Sequence, residues 1–275
     1  MPLTPVSELI AAARPGGLGA FNVITLEHAE AIAAGAEAAD RPAVLQISEN
    51  TVAYHGSLAP LALACLRIAA DSSAPLAVHL DHATSFALVR AAAELGIGSV
   101  MYDGSTAAYA DNVAATAEIA AWCHARGVFV EAELGAVGGK DGAHTPGVRT
   151  DPAEAAEFVA ATGVDALAVA VGSAHAMHER SAELDNELIG RLSVKVPVPL
   201  VLHGSSGVPD AGLRAAVEHG MTKINLATRL NIEATAAVRA VLGSDAALSD
   251  PRKYLRPART AIQREVTHLL RVLRD

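Results

Sequence analysis

A short apolar segment of the sequence ends in two side chains that can do chemistry. Residues 76–80 are apolar apart from one histidine, and Asp81 and His82 follow them directly. Burial alone does not favour a carboxylate beside an imidazole, because charged groups are rarely buried without a partner. In enzymes built on parallel sheets, ligands bind at the carboxyl ends of the strands. The segment therefore predicts a strand that carries a general acid/base and an imidazole to an active site.

The same feature, a polar side chain at the end of a short apolar segment, recurs along the chain. The further polar ends are Asn22, Ser48, Asp103, Glu133, His175, His203, Asn225 and Thr228. If these segments are strands whose ends meet around one mouth, the polar side chains converge there. His82, His175 and His203 then offer three imidazoles. Three neutral imidazoles suit zinc and leave a fourth position open, as in a catalytic site.

Histidines at strand ends also have a purely structural interpretation, as hydrogen-bonded polar filling. For His79 and His178 that interpretation is preferred, because His79 shares its strand face with Asp81 one layer deeper. Three imidazoles at one mouth favour a metal instead. One geometric condition applies: neighbours in a strand point to opposite faces, so Asp81 and His82 both reach the mouth only if the chain leaves strand geometry at His82.

Two loops have the composition of phosphate-binding segments. One is Gly204, Ser205, Ser206 and Gly207, and the other is Asn225, Leu226, Ala227 and Thr228 at the start of a predicted helix. Backbone N–H groups in a Gly/Ser turn and at a helix N-terminus attract anions. In barrels the loops after the seventh and eighth strands form the usual phosphate site. The two loops therefore predict an anionic substrate.

Alternating strands and helices position these residues. The predicted strands are 20–23, 43–48, 76–81, 99–103, 128–134, 166–172, 199–203 and 223–227, and the predicted helices are 6–13, 26–39, 58–70, 85–95, 109–126, 152–162, 210–219 and 230–242. This order predicts a single-domain (β/α)8 barrel, the TIM barrel, over residues 1–275. An open doubly wound sheet is the alternative. It is disfavoured because the glycine-rich segment 16–19 precedes the first strand instead of following it.

Composition excludes several classes of protein. The net charge of −9 and the pI near 5.6 give no electrostatic reason to bind nucleic acid or an anionic membrane. Cys65 and Cys123 form neither a disulfide framework nor a zinc motif, which is typical of a reducing cytoplasm. No signal peptide and no apolar run of about 18 residues is visible. We expect a cytoplasmic protein without a membrane or nucleic-acid partner.

The motifs resemble those of the class II, zinc-dependent fructose-bisphosphate aldolases, in particular the shorter branch that includes tagatose-bisphosphate aldolases. The resemblance covers nearly the whole chain, at residues 21–22, 78–84 (VHLDHAT), 99–105 (SVMYDGS), 131–139 (EAELGAVGG), 167–175 (LAVAVGSAH), 200–207 (LVLHGSSG), 223–228 (KINLAT) and 250–255 (DPRKYL). It implies reversible aldol cleavage of a ketose 1,6-bisphosphate. A homo-oligomer, a dimer or a tetramer, is also implied.

The resemblance assigns roles residue by residue. Asp81 matches the catalytic acid/base, and His82, His175 and His203 match the zinc ligands. Asp103 and Glu133 match acidic residues that hold the metal in a buried alternative position or support its ligands. Segments 204–206 and 225–228 match the site for the dihydroxyacetone phosphate half, with a monovalent cation (Na⁺ or K⁺) nearby. Asp250 and Arg252 resemble the pair that reaches the far phosphate, often across a subunit boundary, and Asn22 and Ser48 are assigned to the substrate.

Two positions depart from the family pattern. A glycine of the family is replaced by Ala176, so the backbone approach to phosphate is altered. The loop that usually reads Gly-Gly-Gln-Glu-Asp is Gly138 to Gly142 here, and Asp141 stands where a longer glutamate assists proton transfer. A lower turnover or another preferred ketose is the expected consequence.

Three questions stay open at the level of sequence. Fructose and tagatose bisphosphates differ by the direction of one hydroxyl, which the residues do not distinguish. A Schiff-base aldolase needs a lysine inside the barrel, and none of Lys140, Lys195, Lys223 and Lys253 is well placed, with Lys223 expected at the wrong end of its strand. A non-catalytic partner subunit of an aldolase is the other alternative. Such a protein could lose its metal ligands without penalty, whereas this chain keeps all three together with the acid.

Overall fold

The computed structural model describes residues 3–135 and 149–274 of the chain. Eight parallel strands pair in sequence order and close into a barrel, with the first strand beside the eighth. The strands are β1 Leu18–Asn22, β2 Ala43–Ser48, β3 Leu76–Ala83, β4 Ser99–Tyr102, β5 Phe129–Leu134, β6 Ala166–Val169, β7 Leu200–Leu202 and β8 Met221–Leu226. The predicted barrel is confirmed, and the open-sheet alternative is wrong because β1 and β8 are hydrogen-bonded.

Helices surround the barrel. They are α1 Val6–Ala13, α2 Leu26–Ala39, α3 Glu49–His55, α4 Ala59–Asp71, α5 Phe86–Glu94, α6 Tyr109–His124, α7 Pro152–Thr162, α8 Asn186–Lys195, α9 Asp210–Glu218, α10 Thr228–Ser244 and α11 Pro251–Val272. In the described part of the chain no single helix could cross a membrane, and only the sharply bent pair α3 and α4 reaches the required length and hydropathy together.

Three of these helices were not predicted. Helix α3 follows β2 without a loop, because Ser48 ends the strand and caps the helix by accepting a hydrogen bond from the backbone N–H of Thr51 at 3.3 Å. Helix α8 contains Gly190, and α11 contains Pro257, which weaken the sequence signal for a helix. Helix α11 is held by packing on α2, where Gly35 leaves no room for a Cβ beside Val266.

The interior of the barrel changes character along the strands. At the amino-terminal end, Leu18, Ala20, Val44 and Ala77 form an apolar cluster with the buried face of α1. Further along, every second residue of a strand faces inward, and these positions become polar towards the carboxyl end. Helix α1 therefore closes the floor of the barrel, and the opposite end carries the polar groups.

Candidate active site

The end of β3 has the irregular geometry that the sequence requires. His82 has a φ of 54°, in the left-handed region, and the pairing of β3 with β4 shifts register between Leu80 and Ala83. This departure from strand geometry turns both Asp81 and His82 towards the mouth. The Nε2 atom of His82 lies 4.0 Å from Oδ1 of Asp81.

Three imidazoles from different strand ends meet at the mouth. The ring centroid of His82 is 4.7 Å from that of His203 and 5.4 Å from that of His175. One nitrogen from each ring lies within 4.8 Å of the others. Tetrahedral zinc with Zn–N bonds of about 2.0–2.1 Å needs nitrogens about 3.4 Å apart, so small side-chain movements would complete the site. The donor set fits a divalent metal such as zinc.

A second group of possible ligands shares one residue with the first. Oxygen or nitrogen atoms of His82, Asp103 and Glu133 also lie within 4.8 Å of one another, and both carboxylates are buried. His82 could therefore be a ligand in either group. This arrangement is compatible with the alternative metal position that the family resemblance implies.

Neighbouring carboxylates orient two of the histidines. Oδ2 of Asp103 lies 2.8 Å from Nδ1 of His82, which leaves Nε2 towards the metal group. Oδ1 of Asp103 is in turn held by the hydroxyl of Ser105 at 2.6 Å. His203 has the reverse arrangement, because its Nε2 donates to Glu131 at 3.0 Å and its Nδ1 faces Glu133 at 2.9 Å. Such outer contacts fix the tautomer of a ligating histidine.

Burial and charge act against each other on the titratable groups of the site. Burial lowers the pKa of His203, but hydrogen bonds to Glu131 and Glu133 outweigh burial and raise the pKa to about 9. Burial raises the pKa of Asp81, yet the neighbouring His82, His203 and Lys223 bring it down to about 2. Asp81 is therefore an ionised carboxylate, which can accept a proton at neutral pH.

Two amides flank the carboxylate of Asp81. The Nδ2 group of Asn22 donates to Oδ2 at 3.3 Å, and the Nδ2 group of Asn225 lies 3.5 Å from Oδ1. Gln46 orients Asn22 by donating to its Oδ1 at 2.7 Å. Amides from β1 and β8 thus hold the carboxylate of Asp81, which lies on β3, in one direction at the mouth.

A layer of buried polar side chains lies below the rim, and of its members the sequence predicted only His79 at this depth. Its members are Gln46, His79, Ser99, Glu131 and Lys223, all of them buried. Four of them lie two residues before a rim residue, and Ser99 lies four residues before Asp103. The alternation along β5 and β8 could therefore have indicated Glu131 and Lys223. Burial and the nearby charge of Lys223 lower the pKa of His79 to about 3, so its ring is neutral beside Ser99.

The expectation that Lys223 is poorly placed needs correction. Although it lies in the first half of β8, its side chain extends along the barrel interior, where it is fully buried. Its ammonium contacts Glu131 at 2.8 Å and Asn225 at 2.9 Å. This lysine is inside the barrel, but its ammonium forms an ion pair and hydrogen bond instead of facing the mouth as a free amine.

The two predicted phosphate loops lie against each other. Gly204 has a φ of 66°, and a Cβ there would come within 2.6 Å of the backbone of Ala174, so the turn requires glycine. A short 3₁₀ turn, Ser205–Gly207, follows, and the hydroxyl of Ser206 accepts a hydrogen bond from the N–H of Ala227 at 3.2 Å. Thr228 then begins α10. A Gly/Ser turn and a helix N-terminus are thereby brought together, as anion binding requires.

The remaining predicted site residues have other surroundings. Ser48 caps α3, and Ala176 is exposed with a φ of 59°, unusual for a residue with a Cβ. Asp250 caps α11 and pairs with the guanidinium of Arg252, whose side chain is 84% exposed. Their substrate contacts therefore stay predictions. Asp141 lies outside the described residues.

Comparisons with known proteins agree with this geometry. The profile of the class II fructose-bisphosphate aldolase family matches residues 5–275. A fructose-bisphosphate aldolase of Staphylococcus aureus (strain N315) is 37% identical over 272 residues, covering 97% of this chain and 95% of the relative. One from Geobacillus stearothermophilus is 38% identical over 277 residues, covering 98% and 96%. The crystal structure of the YdjI aldolase from Escherichia coli K12 superimposes with a TM-score of 0.88 at 29% identity, covering 98% of this chain and 97% of that one.

Proposed function

We propose, from the premise that the chain belongs to the class II fructose-bisphosphate aldolase family and is an aldolase, that it is a zinc enzyme acting on a ketose 1,6-bisphosphate. The reaction is reversible cleavage to dihydroxyacetone phosphate and glyceraldehyde 3-phosphate. The observation that supports this proposal most directly is the group of three imidazoles with a carboxylate 4.0 Å from one ligand nitrogen. The arrangement pairs a metal site with an acid/base, and aldol cleavage requires both.

His82, His175 and His203 would hold the zinc, with Asp103 and Glu133 as supporting or alternative ligands. When bound, zinc supplies a Lewis acid for the negative charge that develops on substrate oxygens as the carbon–carbon bond breaks. Asp81 removes the proton of the C4 hydroxyl during cleavage and returns it in condensation. The amides of Asn22 and Asn225 keep the carboxylate directed at that hydroxyl. Asp141 is assigned to proton transfer at carbon, on the family pattern alone.

The substrate-binding assignment follows the two contacting loops. Segments 204–206 and 225–228 would bind the phosphate of the dihydroxyacetone half through backbone N–H groups and hydroxyls, with Na⁺ or K⁺ nearby. The hydrogen bond between Ala227 and Ser206 supports their joint action. Ser48 and Ala176 would border the same half. Asp250 and Arg252 would reach the far phosphate, across a subunit boundary if the chain forms a homo-oligomer.

The test is cleavage of fructose 1,6-bisphosphate and tagatose 1,6-bisphosphate, coupled to reduction of the triose phosphates. Purified protein is assayed before chelation, after chelation and after restoration of zinc, with magnesium as the control metal. We expect one bisphosphate to be cleaved and the activity to follow zinc. Zinc-loaded protein that cleaves neither sugar would contradict the proposed substrate and direct attention to other phosphorylated ketoses. Activity that survives chelation would contradict the zinc mechanism.

A further inference from the structure

The polar layer beneath the rim contains a buried cation that none of the roles above uses. The ammonium of Lys223 is fully buried and donates to Oε2 of Glu131 at 2.8 Å and to Oδ1 of Asn225 at 2.9 Å. An ammonium has three donors and no acceptor. Each group that it contacts must therefore present an oxygen to it, whichever way that group could otherwise turn.

The contact with Glu131 leads to the metal group. One oxygen of Glu131 accepts from Lys223 and the other from Nε2 of His203, at 3.0 Å. Since a carboxylate only accepts, Nε2 of His203 carries a proton, and Nδ1 is the nitrogen left for a metal. Lys223 also compensates the charge of Glu131, which burial would otherwise oppose.

The contact with Asn225 leads to the acid/base. Oδ1 of Asn225 is directed at Lys223, so its Nδ2 group is directed at Asp81, 3.5 Å away. An asparagine amide has two orientations that differ by exchange of oxygen and nitrogen. In the reversed orientation an oxygen would face the carboxylate of Asp81, which is repulsive. The ammonium therefore decides which orientation the site uses.

We infer that Lys223 is a positioning residue that sets the direction of both hydrogen-bond chains, one ending at the ligand nitrogen of His203 and the other at the carboxylate of Asp81. Among the described residues its hydrogen bonds go to Glu131 and Asn225, so it acts through these two side chains. The inference rests on the proposed metal-dependent function, because it assigns Nδ1 of His203 to a metal. One cation on β8, in contact with side chains of β5 and β8, then orients two parts of the site that are far apart in sequence.

The test begins with Glu131→Gln, which leaves a single oxygen at this position. Lys223 takes that oxygen, so the amide nitrogen of the introduced side chain faces Nε2 of His203. Nε2 of His203 must then accept a hydrogen bond from the amide. The proton of the ring moves to Nδ1, which is the nitrogen needed by the metal. Zinc affinity should fall roughly 10–100-fold, as for loss of other outer-shell partners.

The second variant adds Lys223→Met to Glu131→Gln. Methionine has no N–H donor, so the introduced glutamine can turn its oxygen to His203 and restore the original tautomer. We expect zinc affinity to return close to that of the unsubstituted protein. Asn225 has then lost its fixed donor, so kcat of the zinc-loaded enzyme should stay at least about 10-fold reduced. A purely structural role predicts neither the rescue of zinc affinity nor its separation from kcat.

Zinc affinity is measured by competition with a chelator, and the tautomer of His203 by ¹⁵N NMR of the metal-free protein at a pH high enough for the imidazole to be neutral. Thermal unfolding verifies that each variant is folded, and Lys195→Met, at the exposed end of α8, is the matched control. Zinc affinity in the double variant as low as in Glu131→Gln, or unchanged affinity in Glu131→Gln, overturns the His203 branch. Full recovery of kcat overturns the Asn225 branch. Zinc affinity needs no substrate, so failure of the proposed sugar cleavage would remain distinguishable.

Discussion

The two ends of the barrel interior are filled by side chains of opposite character, apolar at the floor and polar at the mouth. At the floor, helix α1 fills the opening with Val6, Leu9, Ile10 and Ala13, against apolar strand positions. At the mouth, equivalent inward positions carry carboxylates, imidazoles, amides and one ammonium, nearly all buried. The floor gains stability from apolar burial, whereas each polar group of the mouth needs a partner to offset the loss of water.

The difference indicates where substitutions should affect stability and where they should affect catalysis. We expect that a floor residue can be changed without altering the mouth, because the apolar cluster of the floor lies at the opposite end of the strands. A mouth residue participates in chains of hydrogen bonds, so its loss leaves partners unsatisfied.

The largest effect is expected for Asp81→Ala. Removal of the acid/base should lower kcat about 10²-fold or more, while the three imidazoles still bind zinc. The measurement is kcat together with zinc content of the purified variant. Asp71→Ala, at the exposed end of α4, is the matched control and should keep normal activity. Near-normal turnover in Asp81→Ala would contradict the assignment of the acid/base.

The floor counterpart is Leu9→Ala. Leu9 lies on the inner face of α1 and is fully buried against the strands. Its truncation should therefore lower the free energy of unfolding by about 2–5 kcal/mol. Urea unfolding measures that loss, and kcat and KM at 25 °C should not change. Leu3→Ala, at a residue that is 37% exposed, is the control and should cost less than about 0.5 kcal/mol. A changed kcat in folded Leu9→Ala would mean that the two ends are coupled.

The third prediction concerns pH and the metal-free protein. The pKa of His203 is raised to about 9, so the folded chain binds this proton more tightly than the unfolded chain, where the pKa is 6.5. The resulting stability is complete below pH 6.5 and is lost as the pH rises through about 9, a change of up to about 3 kcal/mol.

Urea unfolding of the metal-free protein at several pH values between 6 and 9 measures this loss. Zinc-loaded protein should not show it, because a ligating imidazole is neutral. His203→Gln is the control, since it removes the titrating group. If the metal-free protein is equally stable at pH 6.5 and 9, the two carboxylates do not retain the proton on His203.

The smallest effect is expected for Ala176→Gly at the mouth. Ala176 has a φ of 59°, which costs a residue with a Cβ about 1–2 kcal/mol, whereas glycine gains freedom in the unfolded chain worth about 0.5–1 kcal/mol. The substitution should therefore raise the free energy of unfolding by no more than about 1.5 kcal/mol. Ala174→Gly, at a residue without positive φ, is the control and should be destabilising. A clear loss of stability in Ala176→Gly would show that the Cβ makes a compensating contact.

The sequence predicts the strands and the rim well, because both depend on local patterns. Segment 43–48 is β2 with the same bounds, and five of the predicted polar side chains lie together, namely His82, Asp103, Glu133, His175 and His203. Glu131 and Lys223 were missed because a charged residue in a strand is also typical of a solvated face. Only barrel closure shows that these two side chains, 92 positions apart, form one ion pair. Helix α11 was missed because its stability comes from packing on α2 and α10, which the sequence of the helix does not contain.

The left-handed turn at His82 has a consequence for motion. The acid/base and one proposed metal ligand are consecutive residues, so their Cα atoms stay about 3.8 Å apart whatever the strands do. His175 and His203 reach the mouth on separate segments, and slow movement of the barrel can change their distances from His82. The spacing of the acid/base and the first proposed ligand along the backbone is therefore independent of strand packing. The distances from His82 to His175 and His203 depend on that packing.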